Sequence, residues 1–453
     1  MRANLYLILA FMFAVFLSPG SVTASDGVFN PETFTLKNGM QVVVVSNHRV
    51  PVVSHMVWYK AGSADELSGR TGAAHLLEHL MFKGTKSMPS GEFSKIVARN
   101  GGSENAFTSL DYTGYFQTIA VDHLEKMMAM EADRMTNLVF DQKEVDTERK
   151  VVLEERSQRT DNDPASILRE HLNAAFYMNY PYRRPVIGWE HEIRSLTVDD
   201  LKNFYRRWYA PGNAILVVAG DITADELRPM AERTYGKIPA APEASRDRPS
   251  EPAHKASRTV ELADARVSQP SWTRSYQAPS QVTGIRGGAG TEHAIALDVL
   301  SEIVGSGSSS PLYRSLVIDQ KLAVTAAISY SSSGMGPTRF VFYALPRTGV
   351  SMDRLETAME AEIKKILNDG VSADQLARAK TRLKAEAVYA RDSLSTGARV
   401  LGAALASGRT IEDVETWPHK VDAITVDAVM EAARAVFDGK PSVTSLLLAE
   451  EPK

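Results

Sequence analysis

The sequence predicts an α+β protein made of two similar domains, and three observations carry this prediction. Each half of the chain combines strand patterns, such as Gln41–Val45 and Phe340–Tyr343, with long helical patterns, such as Ala373–Arg391. A segment rich in proline, serine and charge lies between the halves at residues 239–258. The two halves also end alike, which indicates a duplicated domain. Mixed patterns of this kind favour antiparallel strands.

The repeated ending consists of a capped helix followed by an apolar strand. Leu196–Leu201 begins it in the first half, and Ile424–Val429 begins it in the second. Thr197 and Thr425 fit helix N-caps, and the aspartate two residues after each suits the positive end of a helix dipole. We therefore expect both helices to begin at these threonines.

The first residues of the chain indicate export. Arg2 precedes an apolar run, Leu5–Leu17, and Val22–Ala24 supplies small residues for a cleavage site. The run is shorter than the roughly 20 residues that cross a bilayer, so an uncleaved membrane anchor is the less favoured alternative. We predict a periplasmic or secreted protein. The predicted segments are a signal peptide at 1–24, a first domain at 25–238, a linker at 239–258 and a second domain at 259–453.

Composition and net charge argue against some classes of function, although they do not identify the function. The 453 residues are 44% hydrophobic and 23% charged, which is typical of a folded globular protein. A net charge of -4 gives no reason to expect a nucleic acid or an anionic membrane as partner. No later segment reads as transmembrane, so we expect no stable membrane insertion once the signal peptide is removed. The chain has no cysteine, so a metal site would use histidine, aspartate or glutamate.

One motif has the spacing that metal chemistry needs. His75 and His79 are four residues apart and share one face of a helix, and Glu78 lies beside them. This is the inverted zincin pattern. Zinc with three protein ligands keeps a water whose pKa falls towards about 7, and a nearby glutamate can take its proton. We therefore predict zinc as cofactor and Glu78 as general base. An accidental spacing of two histidines is the alternative.

An acidic helix predicted at Asp141–Gln158 offers the third ligand. Val151–Leu153 makes its middle apolar, so the helix is expected to be half buried, and buried carboxylates need a partner or a metal. Glu148 and Glu155 are seven residues apart and share a face. One can bind the metal while the other bonds a ligand histidine. Spacing alone leaves Glu154 and Glu155 as alternative ligands.

These motifs together resemble the pitrilysin family of metallopeptidases, also called the insulinase or M16 family. The matching segments, which extend over nearly all of the mature chain, are His75–His79, Phe82–Thr85, Gly101–Thr108, Glu148–Glu155 and Pro185–Trp189. The resemblance implies that each half is a mostly antiparallel sheet covered by helices. It also implies that the two lobes form a clamp, with the active site facing the cavity between them and the second domain lacking the metal motif.

The resemblance also implies roles for individual residues. It makes Glu155 the third zinc ligand and Glu148 the supporting catalytic residue. Asn105 and Ala106 match a strand edge that binds extended peptides, and Phe82 is expected to contact substrate as well. His123, His171 and His191 have no partner spaced for metal binding, so we do not expect them to bind a metal. Glu131 and Arg134 are expected to form a structural salt bridge.

The chain departs from the family at two positions of the second half. Single-chain family members, and the non-catalytic partner in paired members, carry an arginine and a tyrosine there that are thought to stabilise the developing oxyanion. Pro311 and Val324 stand at these positions, and neither side chain can donate a hydrogen bond. Either a paired M16-like partner subunit supplies the arginine and tyrosine, or the enzyme works without them. We favour the paired partner.

The sequence thus predicts a zinc-dependent endopeptidase that hydrolyses peptides in a chamber, as the catalytic subunit of a heterodimer. The first alternative is a non-catalytic structural or peptide-binding member of the same fold. A zinc hydrolase for small molecules is a further alternative, which the strand-edge segment around Asn105 disfavours.

Overall fold

The computed structural model describes residues 27–242 and 244–450. The predicted signal peptide at 1–24 lies outside these residues. Within them, no helix combines the length and apolar character needed to cross a membrane.

The first half of the chain folds into one six-stranded sheet. Its strands are β1 (Glu32–Thr35), β2 (Gln41–Ser46), β3 (Val52–Tyr59), β4 (Ser103–Thr108), β5 (Thr113–Ala120) and β6 (Ala214–Gly220). Their order across the sheet is β1-β2-β6-β3-β5-β4, and only the pair β2 and β6 is parallel. The helices of this half are α1 (Ala73–Leu80), α2 (Glu92–Arg99), α3 (Leu124–Asn137), α4 (Gln142–Arg156), α5 (Pro164–Phe176), α6 (Glu190–Ser195), α7 (Val198–Trp208) and α8 (Ala224–Arg233).

The second half forms a five-stranded sheet. Its strands are β7 (Arg258–Asp264), β8 (Ser271–Ala278), β9 (Ala323–Ser329), β10 (Thr338–Pro346) and β11 (Ser442–Ala449). Their order is β7-β11-β8-β10-β9, with β7 and β11 parallel. The helices are α9 (Ala294–Gly305), α10 (Pro311–Tyr313), α11 (Met352–Asp369), α12 (Ala373–Tyr389), α13 (Leu394–Ala406), α14 (Ile411–Glu415), α15 (Trp417–Ala423) and α16 (Val426–Phe437).

The two sheets have the same topology, which confirms the predicted α+β fold with two similar, mostly antiparallel sheets. The order β2-β6-β3-β5-β4 in the first sheet corresponds strand for strand to β7-β11-β8-β10-β9 in the second. The predicted caps are also confirmed. The side chain of Thr197 accepts a hydrogen bond from the backbone of Asp200, and that of Thr425 accepts one from Ala428.

Each half covers part of the other half's sheet with one of its own helices. Helix α13 of the second half packs on β3 and β6 of the first, with Leu401 and Ala404 buried beside Trp58. In return, α5 of the first half packs on β7 and β11, where Leu168 lies in a cluster with Leu447. The division of the chain at 239–258 did not predict this exchange, because an apolar helix face does not specify which sheet it covers.

A glycine allows α13 to approach its sheet closely. Gly402 lies against Trp58, and a Cβ at this position would overlap the indole ring. We expect Gly402→Ala to lower the free energy of unfolding by about 1–3 kcal/mol, because overpacking forces the ring or the helix to move. Chemical unfolding measures this. Gly397→Ala on the same helix is the control, since its Cβ would meet Phe29 at 3.0 Å and that ring can shift. Equal losses for both variants would contradict this explanation.

The segment between the halves is anchored to both of them. The side chain of Arg248 is only 5% exposed and pairs with Asp65 at 2.8 Å and Asp111 at 2.5 Å, both in the first half. Asp111 also accepts a hydrogen bond from the backbone N–H of Met335, in the second half, at 3.0 Å. Because a buried charge that loses its partner is costly, this network fixes the orientation of one sheet relative to the other.

Candidate metal centre

Helix α1 presents the predicted motif from a rigid position. It begins after Gly72, whose φ of 87° lies in the left-handed region that favours glycine. A Cβ at this position would also come within 2.7 Å of the carbonyl oxygen of Ile187. Leu76, Leu77 and Leu80 are buried, at 0–1% exposure. The polar side of the helix is thereby fixed, and it carries the two histidines and the glutamate of the motif.

His75, His79 and Glu155 converge on one point. Glu155 Oε2 is 3.7 Å from His75 Nε2 and 3.4 Å from His79 Nε2. Tetrahedral zinc with bonds of about 2.0–2.1 Å places its ligand atoms roughly 3.3–3.4 Å apart, so these residues fit the metal. No other group of three histidine, cysteine or acidic side chains between residues 27 and 450, leaving aside residue 243, is close enough to hold an ion.

The protonation of His75 also suits metal binding. Burial, together with the nearby charges of His79 and Arg159, lowers the pKa of His75 to about 3. The imidazole is therefore neutral at pH 7, which is the form that binds a metal. Its Nδ1 is buried and has no hydrogen-bond partner within the described part of the chain.

The packing of α4 distinguishes Glu155 from Glu154. Val145 and Val152 are buried against α1. Glu148 and Glu155 each follow one of these valines by three residues, so all four side chains form one stripe facing α1. Glu154 lies on the exposed side of the helix and accepts a hydrogen bond from Gln158 at 2.9 Å. The positions of the valines are a sequence pattern that would have favoured Glu155.

Glu148 lies behind His79. Its side chain is 6% exposed, with Oε2 3.3 Å from His79 Nδ1 and Oε1 2.7 Å from Lys83 Nζ. Burial opposes ionisation of Glu148, but the hydrogen bonds to His79 and Lys83 outweigh it and lower the pKa. Burial likewise acts to lower the pKa of His79, but Glu148, Glu155 and Glu78 together raise it. Glu148 thus orients the imidazole so that Nε2 faces Glu155.

Glu78 lies between the two histidines and the sheet. Thr108, the last residue of β4, donates a hydrogen bond from Oγ1 to Glu78 Oε2 at 2.5 Å. Burial raises the pKa of Glu78, and this hydrogen bond partly opposes the increase. A carboxylate whose pKa is raised towards neutrality is a better proton acceptor.

The strand whose end contacts Glu78 has an open edge. β4 is the last strand of the first sheet, and among residues 27–242 and 244–450 it pairs only with β5. On it, Asn105 is exposed, and Ala106 is half buried and donates its backbone N–H to Asn105 Oδ1 at 2.8 Å. Such an edge can accept an extended peptide as a further strand, which would then run past Glu78.

Phe82, like Ala106 of the strand edge, is half buried against the first core. Its ring lies 5.1 Å from the guanidinium carbon of Arg134 and 6.3 Å from the ring of Tyr115. Arg134 is itself paired with Glu131, and both side chains are at most 1% exposed, which confirms the predicted structural salt bridge. The contacts of Phe82 are packing contacts.

In the second half, the two departures from the family pattern lie near its own sheet edge. Pro311 begins α10, and Val324 lies on β9 with 45% of its surface exposed. β9 is an edge strand, and it corresponds to β4 of the first sheet.

Three residues at the site had no predicted role: Thr108, Lys83 and Arg159. Thr108 and Lys83 contact Glu78 and Glu148 respectively, as described above. Nη1 of Arg159 lies 2.5 Å from Glu155 Oε1. The spacing of four residues between Glu155 and Arg159 on a helix is a signal that could have identified this pair.

Glu66 supports the start of α1 from outside the motif. Its Oε1 accepts the backbone N–H of Ala74 at 2.8 Å. Burial raises the pKa of Glu66 to about 8, partly opposed by the hydrogen bonds from the backbone of Ala74 and Gly72. No local pattern predicts this contact, because residues 67–72 form no part of the helix.

The raised pKa of Glu66 predicts a pH-dependent stability. The folded pKa of about 8 exceeds the ordinary value of 4.5, so the protonated carboxyl stabilises the fold fully below about pH 4.5. This stability is lost as the pH rises through 8. Between pH 5 and 9, the free energy of unfolding of the parent is expected to fall by an amount on the order of a few kcal/mol. Glu66→Gln should abolish this fall. Urea unfolding of both proteins with zinc chelated measures it, and parallel pH profiles would contradict the assignment.

Comparisons with known proteins found two matching family models and several similar proteins and structures. A family model described as "Insulinase (Peptidase family M16)" matches residues 41–190, and one described as "Peptidase M16 inactive domain" matches residues 195–383. The zinc protease PqqE of Helicobacter pylori is 31% identical over 419 residues, covering 92% of each chain. A crystal structure of a protease from Helicobacter pylori has a TM-score of 0.84 at 30% identity, covering 92% of this chain and 99% of that one. The periplasmic protease PqqL of Escherichia coli has a TM-score of 0.79 at 23% identity, covering 93% of this chain but 48% of that one.

Proposed function

Because the chain belongs to the insulinase family of peptidases, family M16, we propose that it is a zinc-dependent endopeptidase. The observation that carries this proposal is the convergence of His75, His79 and Glu155 beside Glu78, at the end of a strand with an open edge. A buried cluster of two imidazoles and several carboxylates is costly for a protein that does not use it. The open edge of β4 favours extended peptides over small molecules as substrates.

Each residue of the site has a distinct task in this reaction. His75, His79 and Glu155 would hold zinc, which when bound polarises a carbonyl group and acidifies a water molecule. Glu78 accepts the proton of the attacking water and passes it to the amine nitrogen that leaves. Thr108 and Glu148 keep Glu78 and His79 in position. β4 holds the peptide backbone, so the scissile bond is aligned with Glu78.

We also propose that the chain works with a paired M16-like subunit. Pro311 and Val324 provide no hydrogen-bond donor for the oxyanion, so a partner that supplies an arginine and a tyrosine would complete the site. Residues 195–383, which include the first part of the second half, match a domain described as inactive, and this chain spans about half of PqqL from Escherichia coli. A tagged copy isolated from its native periplasm should co-purify with a similar-sized chain that carries both residues. Full activity of the isolated chain would contradict the need for a partner.

The proposed location is the periplasm or the exterior of the cell, with residues 1–24 acting as the signal peptide. PqqL of Escherichia coli, whose fold this chain shares, is a periplasmic protease, which supports the proposal. Determination of the N-terminal residue of the mature protein tests it. A chain that starts at Met1 would contradict cleavage.

Metal removal tests the proposed activity directly. The purified chain, alone and with its partner, is incubated with an unstructured peptide library before and after chelation. We expect hydrolysis that the chelator abolishes and that zinc restores. A chain that binds zinc but cleaves nothing, even with its partner, would instead support the non-catalytic structural or peptide-binding role.

A further inference from the structure

The carboxylate of Glu155 has two oxygen atoms with different partners. Oε2 faces the histidines, at 3.7 Å from His75 Nε2 and 3.4 Å from His79 Nε2. Oε1 faces the other way and lies 2.5 Å from Nη1 of Arg159. Arg159 belongs to the wider helical turn, Ser157–Asp161, that continues α4. One guanidinium group therefore occupies the oxygen that points away from the metal position.

The different partners of the two oxygens matter because a carboxylate can bind a metal through one oxygen or through both. Catalytic zinc sites have three protein ligands and leave a position open for water or substrate. If Glu155 used both oxygens, it would crowd that open position. The positive charge of Arg159 beside Oε1 attracts the negative charge of the carboxylate to this oxygen, which makes Oε1 less available to the metal.

We propose that Arg159 is a positioning residue that holds Glu155 as a ligand through one oxygen and so keeps one coordination position open. This inference rests on the proposed function. It assigns Arg159 the same task towards Glu155 that Glu148 has towards His79. Each of the two outer residues fixes which atom its neighbour presents to the metal.

The alternative to a positioning role is that Arg159 and Glu155 form an ordinary ion pair on a helix surface. Such pairs contribute only about 0.3–0.5 kcal/mol, and the side chain of Arg159 is 75% exposed. The side chain of Glu155, however, is only 17% exposed, and its second oxygen is committed to the histidines. An interaction that sets the orientation of a half-buried ligand affects the metal even when it adds little to stability.

The chain offers a matched control for this pair. Arg194 lies four residues after Glu190, in the same order along a helix, with Nη2 2.6 Å from Glu190 Oε1 and a side chain that is 62% exposed. Glu190 is not a member of the metal cluster. The comparison of Arg159→Gln with Arg194→Gln therefore separates a role at the metal from the loss of a surface ion pair.

The experiment measures metal binding rather than turnover. Zinc affinity is determined by competition with a chelator, and coordination is followed by the visible absorption of the cobalt-substituted protein. We expect Arg159→Gln to weaken zinc binding by about 10–100-fold, as the loss of outer contacts to a metal ligand typically does. The cobalt absorption should also weaken, because its intensity falls as the coordination number rises. Arg159→Lys should recover part of both signals, and Arg194→Gln should match the parent.

Each outcome has a separate meaning. If Arg159→Gln matches the parent in zinc affinity and in cobalt absorption, the role of Arg159 is refuted while the metal site stands. A loss of hydrolysis with unchanged affinity and spectrum would also refute it, because Arg159 would then act on the substrate. If the parent itself binds neither zinc nor cobalt, the proposed function fails first.

Discussion

Glu78→Gln is expected to reduce peptide hydrolysis by about 10²–10⁴-fold, the contribution typical of a general base. Glutamine is nearly the same size and can still accept the hydrogen bond that Thr108 donates to Oε2 of Glu78. It cannot take a proton at neutral pH. Turnover of an unstructured peptide, measured with the partner present, gives the rate.

The control for this variant is Glu154→Gln. Glu154 is exposed on α4, away from the histidines, so its replacement should leave hydrolysis unchanged. Zinc content and thermal unfolding should be the same for the parent and for both variants. A Glu78→Gln protein that hydrolyses peptides as fast as the parent would remove Glu78 from the mechanism.

Replacement of Glu155 by alanine is expected to abolish zinc binding. The loss of one of three protein ligands leaves two imidazoles, which cannot hold zinc at the affinity of a complete site. Metal analysis after dialysis should give about one zinc per chain for the parent and almost none for Glu155→Ala. Hydrolysis should disappear together with the metal.

The neighbouring residue makes this prediction specific. Glu154→Ala removes the same charge from the same helix, but the side chain of Glu154 bonds to Gln158 rather than facing the histidines. It should retain zinc and activity. The reverse result, with Glu154→Ala losing zinc and Glu155→Ala keeping it, would mean that α4 is rotated relative to the structure described.

The structure adds to the sequence mainly where distant segments meet. The spacing of His75, Glu78 and His79 is local, so their common helix face could be predicted directly. The choice between Glu154 and Glu155 depends on the rotation of α4, which the burial of Val145 and Val152 against α1 sets. Spacing alone left that choice open, and the resemblance to a family made it.

Other contacts at the site join residues that no short-range pattern connects. Thr108 reaches Glu78 because β4 ends beside α1, and Glu66 reaches the start of α1 across a loop. Both contacts depend on how the chain returns to the same place. The half-buried ring of Phe82 packs beside Arg134 and Tyr115, and its contact with substrate stays a prediction.

The sequence by itself predicted the α+β class, the similar endings of the two halves and the capped helices at Thr197 and Thr425, and it supplied the His75–His79 motif on which the metal proposal rests. All of these follow from periodicity, capping and spacing within single segments, which obey local rules. Only the tertiary structure decided that α5 and α13 each pack on the sheet of the opposite half. It also decided that Arg248 joins the two halves through buried carboxylates. An apolar helix face or a charged side chain specifies the kind of partner it needs, and only packing decides which partner it meets.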